Sequence, residues 1–206
     1  MLLSSADDVA ERLTKRLASG WTESKVRALS NETILERLAG FGIVTSTDEF
    51  VELARAEHAA SAVAEGWRHR FPISARGFDN DFFGLAAGVL WERLLAERPS
   101  YEMLDDGMQA GYAALKANDV TRACDLWLEV WEGFKLHLEP AIGRVRDVDT
   151  LFHGAEFFFN WCQEFEQELG NAGVIDPRYL RARVRYVHEI WRSSLPRTTS
   201  RCWATS

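Results

Sequence analysis

His153 and Glu156 lie three residues apart, a spacing that sets an imidazole and a carboxylate on one face of a helix. Metal centres inside helical bundles use two Glu-x-x-His pairs and further glutamates, because the ion needs ligands converging from several helices. Here the order is reversed and no second pair completes a shell, so no metal or cofactor site is expected. His153 is expected to lie exposed near a helix start. His58, His69, His137 and His188 share no spacing, and each is expected to face solvent or make a single hydrogen bond. Two carboxylate groups, Asp79-Asn80-Asp81 and Asp105-Asp106, would divide acid and base roles only if burial separated their pKa values. Both stand at or near helix starts, where a carboxylate stabilises the macrodipole, so capping is their expected role. Serines and threonines fall mostly at caps. No Gly-x-Ser-x-Gly elbow, phosphate loop or dinucleotide fingerprint occurs, so no catalytic residue is expected.

What remains are side chains suited to contact. Glu164, Glu166 and Glu168 precede Arg178, Arg181, Arg183 and Arg185, and antiparallel helices would bring the two groups together as surface ion pairs. The alternative is an arginine patch for an acidic partner or phosphate. Trp127, Trp131, Phe157 and Trp161, with Arg181 and Arg185, are the candidate partner contacts, because aromatic and arginine side chains anchor interfaces. Phe157 and Trp161 lie off the main apolar stripe and are expected in the core of a helix covered on both sides; the alternative is an exposed apolar patch that a partner covers. A second cluster, His69, Arg76, Asp79 and Asp81, surrounds the least regular part of the interior and is the candidate pocket if the chain binds a small ligand or acts as an enzyme.

The elements that would carry these residues are helical throughout. Capping-box signals and apolar stripes at helical spacing recur, and no stretch alternates long enough to require a strand. Ser5 and Asp8 open a stripe of Val9, Leu13 and Leu17; Thr22 and Asn31 open two shorter helices, the second with Ile34, Leu35 and Leu38. Gly40 and Gly42 flank Phe41 in a tight connector. Ser46 and Glu49 form a capping box for a helix expected to run to about Trp67 through Phe50, Leu53, Ala54 and Ala64. Asp79 is expected to cap the next helix, carrying Phe82, Phe83, Ala86, Val89, Leu90 and Leu94 and ended by Pro99. Another runs from Ser100 to about Ala117, and Asn118-Asp119 turns it into a partner with the stripe Val120, Ala123, Trp127, Val130, Trp131, Phe134 and Leu138. After the link PAIGRVRDVDT, a helix is expected from Leu151 to Gly170, apolar nearly all round at first. Asp176-Pro177 restarts the chain, with Leu180, Val184, Val187 and Trp191 facing inward. The pattern is lost from Ser193.

The fold expected is all-α, built of antiparallel hairpins. An N-terminal helical lobe (1–70) packs on a body (78–192), Pro72 and Gly77 mark the boundary, and a frayed tail follows (193–206). Within the body, Gly111, Leu115, Ala123 and Trp127 place small and large residues as a tetratricopeptide hairpin does, although no second copy appears at a ~34-residue period. The segments DNDFFGLAAGVLWERLLAERPSYEMLDDGMQAGY, ACDLWLEVWEGFK and FFFNWCQEFEQELGNAGVIDPRY resemble the helical body of a group of uncharacterised bacterial proteins that often carry a zinc-binding SEC-C motif. The resemblance spans roughly Ile34 to Trp191 and implies a tetratricopeptide-like, solenoid-like body. It implies no activity. Members with the zinc element hold it on clustered cysteines, which this chain does not have.

Composition bounds the function. A net charge of −7 over 206 residues disfavours a general nucleic-acid binder, and no apolar run reaches the ~20 residues of a membrane span. Cys124, Cys162 and Cys202 are odd in number and far apart, the pattern of buried thiols in a reducing cytoplasm. The function expected is that of a non-catalytic helical interaction module for a protein, a peptide or a second copy of the chain. An enzyme or ligand-binding domain at the 69–81 connector is the alternative, and phosphate or nucleic-acid binding through the Arg178–Arg185 helix a weaker one.

Overall fold

Short polar side chains start the helices at the amino-terminal end. Thr22 accepts from the Lys25 backbone N–H and starts α1 (Glu23–Arg27); Ser30 accepts from Thr33 and starts α2 (Asn31–Gly40). At Ser46 the capping box is complete: its hydroxyl accepts from the Glu49 N–H while the Glu49 carboxylate accepts from the Ser46 N–H, opening α3 (Thr47–Ala56). The computed structural model describes residues 20–137, 148 and 150–194, the last four as backbone only. The Ser5–Asp8 start, the Val9–Leu17 stripe, Leu138, most of the 139–149 link, Cys202, the tail and the Trp191 side chain lie outside the described residues.

The described residues are all-α: nine helices and one short 3₁₀ turn, with no strand. Contacts divide them at Ser100/Tyr101 rather than at the 71–77 connector. The cause is α5 (Asp81–Leu94), expected in the body but packed against α4 (Ala60–Arg70) and α1.

In the first unit α5 supplies the core with Phe82, Phe83, Ala86, Ala87, Val89, Leu90 and Trp91, all buried. Ile34, Leu38, Phe50, Ala54, Val63 and Trp67 are buried in the helices before it. Burying an apolar side chain of this size contributes ~1.5–3 kcal/mol. The expected Ser46–Trp67 helix is two helices. Glu57 takes an extended conformation, and Arg98 Nη1 donates to the carbonyls of Ala54, Arg55 and Glu57 at 2.8–3.3 Å, satisfying acceptors left over at the α3 end. Arg93 does the same for α1 and the start of α2, donating to Arg27 O, Leu29 O and Asn31 Oδ1. Helix α5 ends at Leu94, well before Pro99, and the Trp91 indole N–H donates to Arg98 O at 2.7 Å across the turn. Gly42 has φ +97° and lies so close to Pro72 that a Cβ would stand 3.1 Å from its carbonyl oxygen, which accounts for the tight connector at Phe41.

The second unit is a sequence of antiparallel neighbours: α6 (Tyr101–Lys116), α7 (Val120–Lys135), α8 (Phe158–Ile175) and α9 (Pro177–Ser194). Asn118, at φ +61°, turns α6 into α7, and Asp119 caps α7 by accepting from the Arg122 N–H. The α6–α7 approach depends on glycine. A Cβ at Gly111 would overlap the Trp127 indole, and one at Gly107 would lie 2.5 Å from Val130. The same indole donates to Met108 O at 3.0 Å. Around α7, rings of Trp127, Phe134, Phe152, Phe158, Trp161 and Phe165 lie with centroids 4.3–6.2 Å apart, an aromatic core.

Two expectations in this unit are corrected. Residues 151–157 are not helical; the backbone N–H of Ala155 donates to Asp105 Oδ1 at 3.0 Å, and α8 begins at Phe158 and continues past Gly170 to Ile175. On α9 the buried positions are Tyr179 and Tyr186, not Leu180 and Val184. Their hydroxyls decide the rotation of the helix: Tyr186 donates to Cys162 O at 3.0 Å, and Tyr179 lies 3.0 Å from both Thr121 O and Asp125 Oδ1. Tyrosine fills an interior as well as valine does and adds a hydrogen bond there.

Candidate functional site

The candidate pocket residues do not meet. His69 is exposed and paired with Glu65 on its own helix at 3.3 Å. Asp79, expected as a helix cap, sits in the 3₁₀ turn Gly77–Asn80, where its Oδ1 accepts from the Trp21 indole N–H at 3.2 Å. Trp21 is held in turn by the Phe82 ring edge and by the Arg37 guanidinium 4.6 Å above its own ring, so Asp79 completes a packing cluster. Arg76 and Asp81 are exposed, and no hydrogen bond or ion pair joins any two of the four.

The other candidate chemistries are separated as well. Asp105 is taken by the Ala155 amide. His153 is exposed outside any helix, while His137 is buried with its ring 5.0 Å from Tyr101, which leaves out the solvent-facing one of its two expected states. Cys124 and Cys162 are buried and not joined in a disulfide, and burial pushes the Cys124 thiol up to about 12. Among the described residues no three His, Cys, Asp or Glu side chains form a group able to hold a metal ion, and no helix is long and apolar enough to cross a membrane.

Of the candidate partner contacts, Trp127, Trp131 and Trp161 are core residues with no more than 1% exposure. Trp131 anchors α9 by donating to Glu189 Oε2 at 2.6 Å, a carboxylate that also meets Lys135 Nζ at 3.4 Å. Phe157 is 70% exposed, just before α8. Arg181 and Arg185 are exposed on α9 and make no hydrogen bond or ion pair among the described residues.

The glutamate and arginine groups on α8 and α9 meet only once, at Glu166 and Arg183. Glu164 instead accepts from the Tyr112 hydroxyl at 2.6 Å, and Glu168 from Asn171. Burial first, and that carboxylate second, hold the Tyr112 phenol well above the usual tyrosine range. Arg178 is bound to Asp125 and Asp176 at 3.0 and 3.1 Å and to the Tyr179 hydroxyl.

An exposed aliphatic face follows from the rotation of α9. With Tyr179 and Tyr186 turned in, Leu180 and Val184 are 44% and 60% exposed, and the preceding corner leaves Val174 and Ile175 at 88% and 67%. Leu180 ties the two together, because it lies over Gly173, where a Cβ would overlap its side chain. Sequence reasoning missed these four aliphatics, since their spacing marks an inward stripe as readily as an outward one. The chain matches no family model, no curated protein and no solved structure.

Proposed function

We propose that this chain is a non-catalytic helical interaction module of the cytoplasm, binding a protein or peptide through the outer side of the α8–α9 hairpin. The observation that carries the reading is a set of four exposed aliphatic side chains, Val174 and Ile175 at the end of α8 and Leu180 and Val184 one turn apart on α9. Adjacent exposed aliphatics of this kind mark contact sites, whereas single ones do not. Further support comes from the candidate acid–base groups, which are dispersed among packing and capping duties. The α6–α7 hairpin, with Gly111 opposite Trp127, supports the tetratricopeptide-like reading of the body, and with it the likeness to the helical part of SEC-C motif-containing proteins.

Quantitative affinity capture with wild-type protein and with a Leu180→Glu/Val184→Glu variant, alongside light scattering of each, tests the reading. A specific partner, or self-association, that disappears in the variant is expected. A monomer whose captured proteins are the same with and without the substitutions overturns it.

A further inference from the structure

The charge around the exposed aliphatics indicates what covers them. Over α9, Pro177–Ser194, the sequence holds five arginines against one glutamate, a net +4 in a chain whose total is −7. On the described part of α9 these cations divide into two kinds. Arg178 and Arg183 are held by Asp125, Asp176 and Glu166, so they belong to the internal packing of the hairpin. Arg181 and Arg185 have no such partner among the described residues and follow Leu180 and Val184 directly in sequence. Residues four apart on a helix have Cβ atoms ~6 Å apart, so the outer face presents an aliphatic pair and, beside it, a parallel guanidinium pair. His188, one turn further on, is exposed on the same side.

We infer that this face docks an acidic amphipathic helix, whose apolar residues lie over Leu180 and Val184 and whose carboxylates pair with Arg181 and Arg185. The inference rests on the interaction-module reading and adds the partner's chemistry to it. Guanidinium groups bind carboxylates through paired N–H donors, and a docked helix excludes water from the aliphatic pair while leaving the charged row at its rim. A nucleic acid fits less well. It needs a longer track of unengaged cations and rings on which bases stack, whereas the exposed side chains between these arginines are aliphatic.

The probe is a fluorescein-labelled, helix-forming peptide about six turns long, with leucines repeating at three- and four-residue spacing and glutamates beside them. Its control has lysine at each glutamate. By fluorescence polarisation the acidic peptide is expected to bind and the lysine peptide not to. Arg181→Glu/Arg185→Glu is expected to weaken the acidic peptide by about tenfold or more and to admit the lysine peptide, with weaker binding as salt rises. Both positions are exposed, so an unchanged circular dichroism spectrum separates a lost contact from a lost fold.

Equal binding of the two peptides, no binding of either, or stronger binding of a single-stranded oligonucleotide or of phosphatidylserine vesicles overturns the inference. If Leu180→Glu/Val184→Glu abolishes a captured partner while the arginine reversal leaves it bound, the acidic partner is wrong and the interaction module stands. If neither substitution changes what is captured, both fail.

Discussion

Gly111 and Gly66 are both helical glycines, and their surroundings give them opposite roles. A Cβ at Gly111 runs into the Trp127 indole, which is fixed by its bond to Met108 O and by rings on its other side. Gly111→Ala is therefore expected to lower stability by about 1–3 kcal/mol, the usual cost of overpacking, despite alanine's better helix propensity. At Gly66 nothing lies within 4 Å of the added carbon, so Gly66→Ala is expected to raise stability by about 0.4–1 kcal/mol. Urea denaturation of the two variants checks both signs. The Gly111–Trp127 pairing was readable in the sequence, because a small residue and a large one stood at positions that a helical hairpin brings face to face. The engagement of Asp79 by Trp21 was not, since the two are 58 positions apart and Asp79 also looked like a cap. Residue type marked the tryptophans both as members of apolar stripes and as possible partner contacts; Trp127, Trp131 and Trp161 fill the core.

At the scale of elements, caps formed from neighbouring residues were legible and caps formed from distant ones were not. Ser46 with Glu49 and Asp119 with Arg122 are local, and each starts a helix where the sequence placed it. The end of α3 is different. No glycine or proline stands between Ala56 and Ala60, and the break is held by Arg98, more than forty residues further along. Arg98→Ala leaves those carbonyls without their charged donor, so a loss of about 2 kcal/mol is expected, with faster amide exchange concentrated in residues 54–63. Uniform acceleration across the first unit, or none, would show that the break does not depend on this side chain. The rotation of α9 was illegible for a related reason. Leu180, Val184 and Val187 make as good an apolar stripe as Tyr179 and Tyr186, and only the acceptors on α7 and α8, at Thr121, Asp125 and Cys162, decide between them. The candidate contact surface is what that choice leaves outside.

For the whole molecule, the shifted groups give a direction to the dependence of stability on pH. Burial raises Cys124 from 9.0 to about 12 and, as the leading cause, also holds the phenols of Tyr112, Tyr179 and Tyr186 above their ordinary value. Each keeps its proton in the folded chain at pH values where the unfolded chain has lost it. The associated stability is complete below pH 9 and declines as pH rises toward 12. Urea midpoints measured from pH 7 to 11 are expected to fall on the alkaline side, and Cys124 is expected to resist thiol reagents until the chain unfolds. On the acid side, Asp119 is held low by the Arg122 amide and then by the Thr121 hydroxyl, and Glu32 by its own amide and then by Ser30. Their contribution is present above the ordinary carboxylate range and is lost as pH falls through their lowered values. The all-α class was legible because helical periodicity is a local property, while the division at Ser100 was not, because it depends on which helices α5 touches. The placement of the indoles has one more consequence. Trp21, Trp67 and Trp91 stand before that division and the other five tryptophans, Trp127, Trp131 and Trp161 among them, after it, so replacing the first three by phenylalanine would let emission follow the melting of the second half alone.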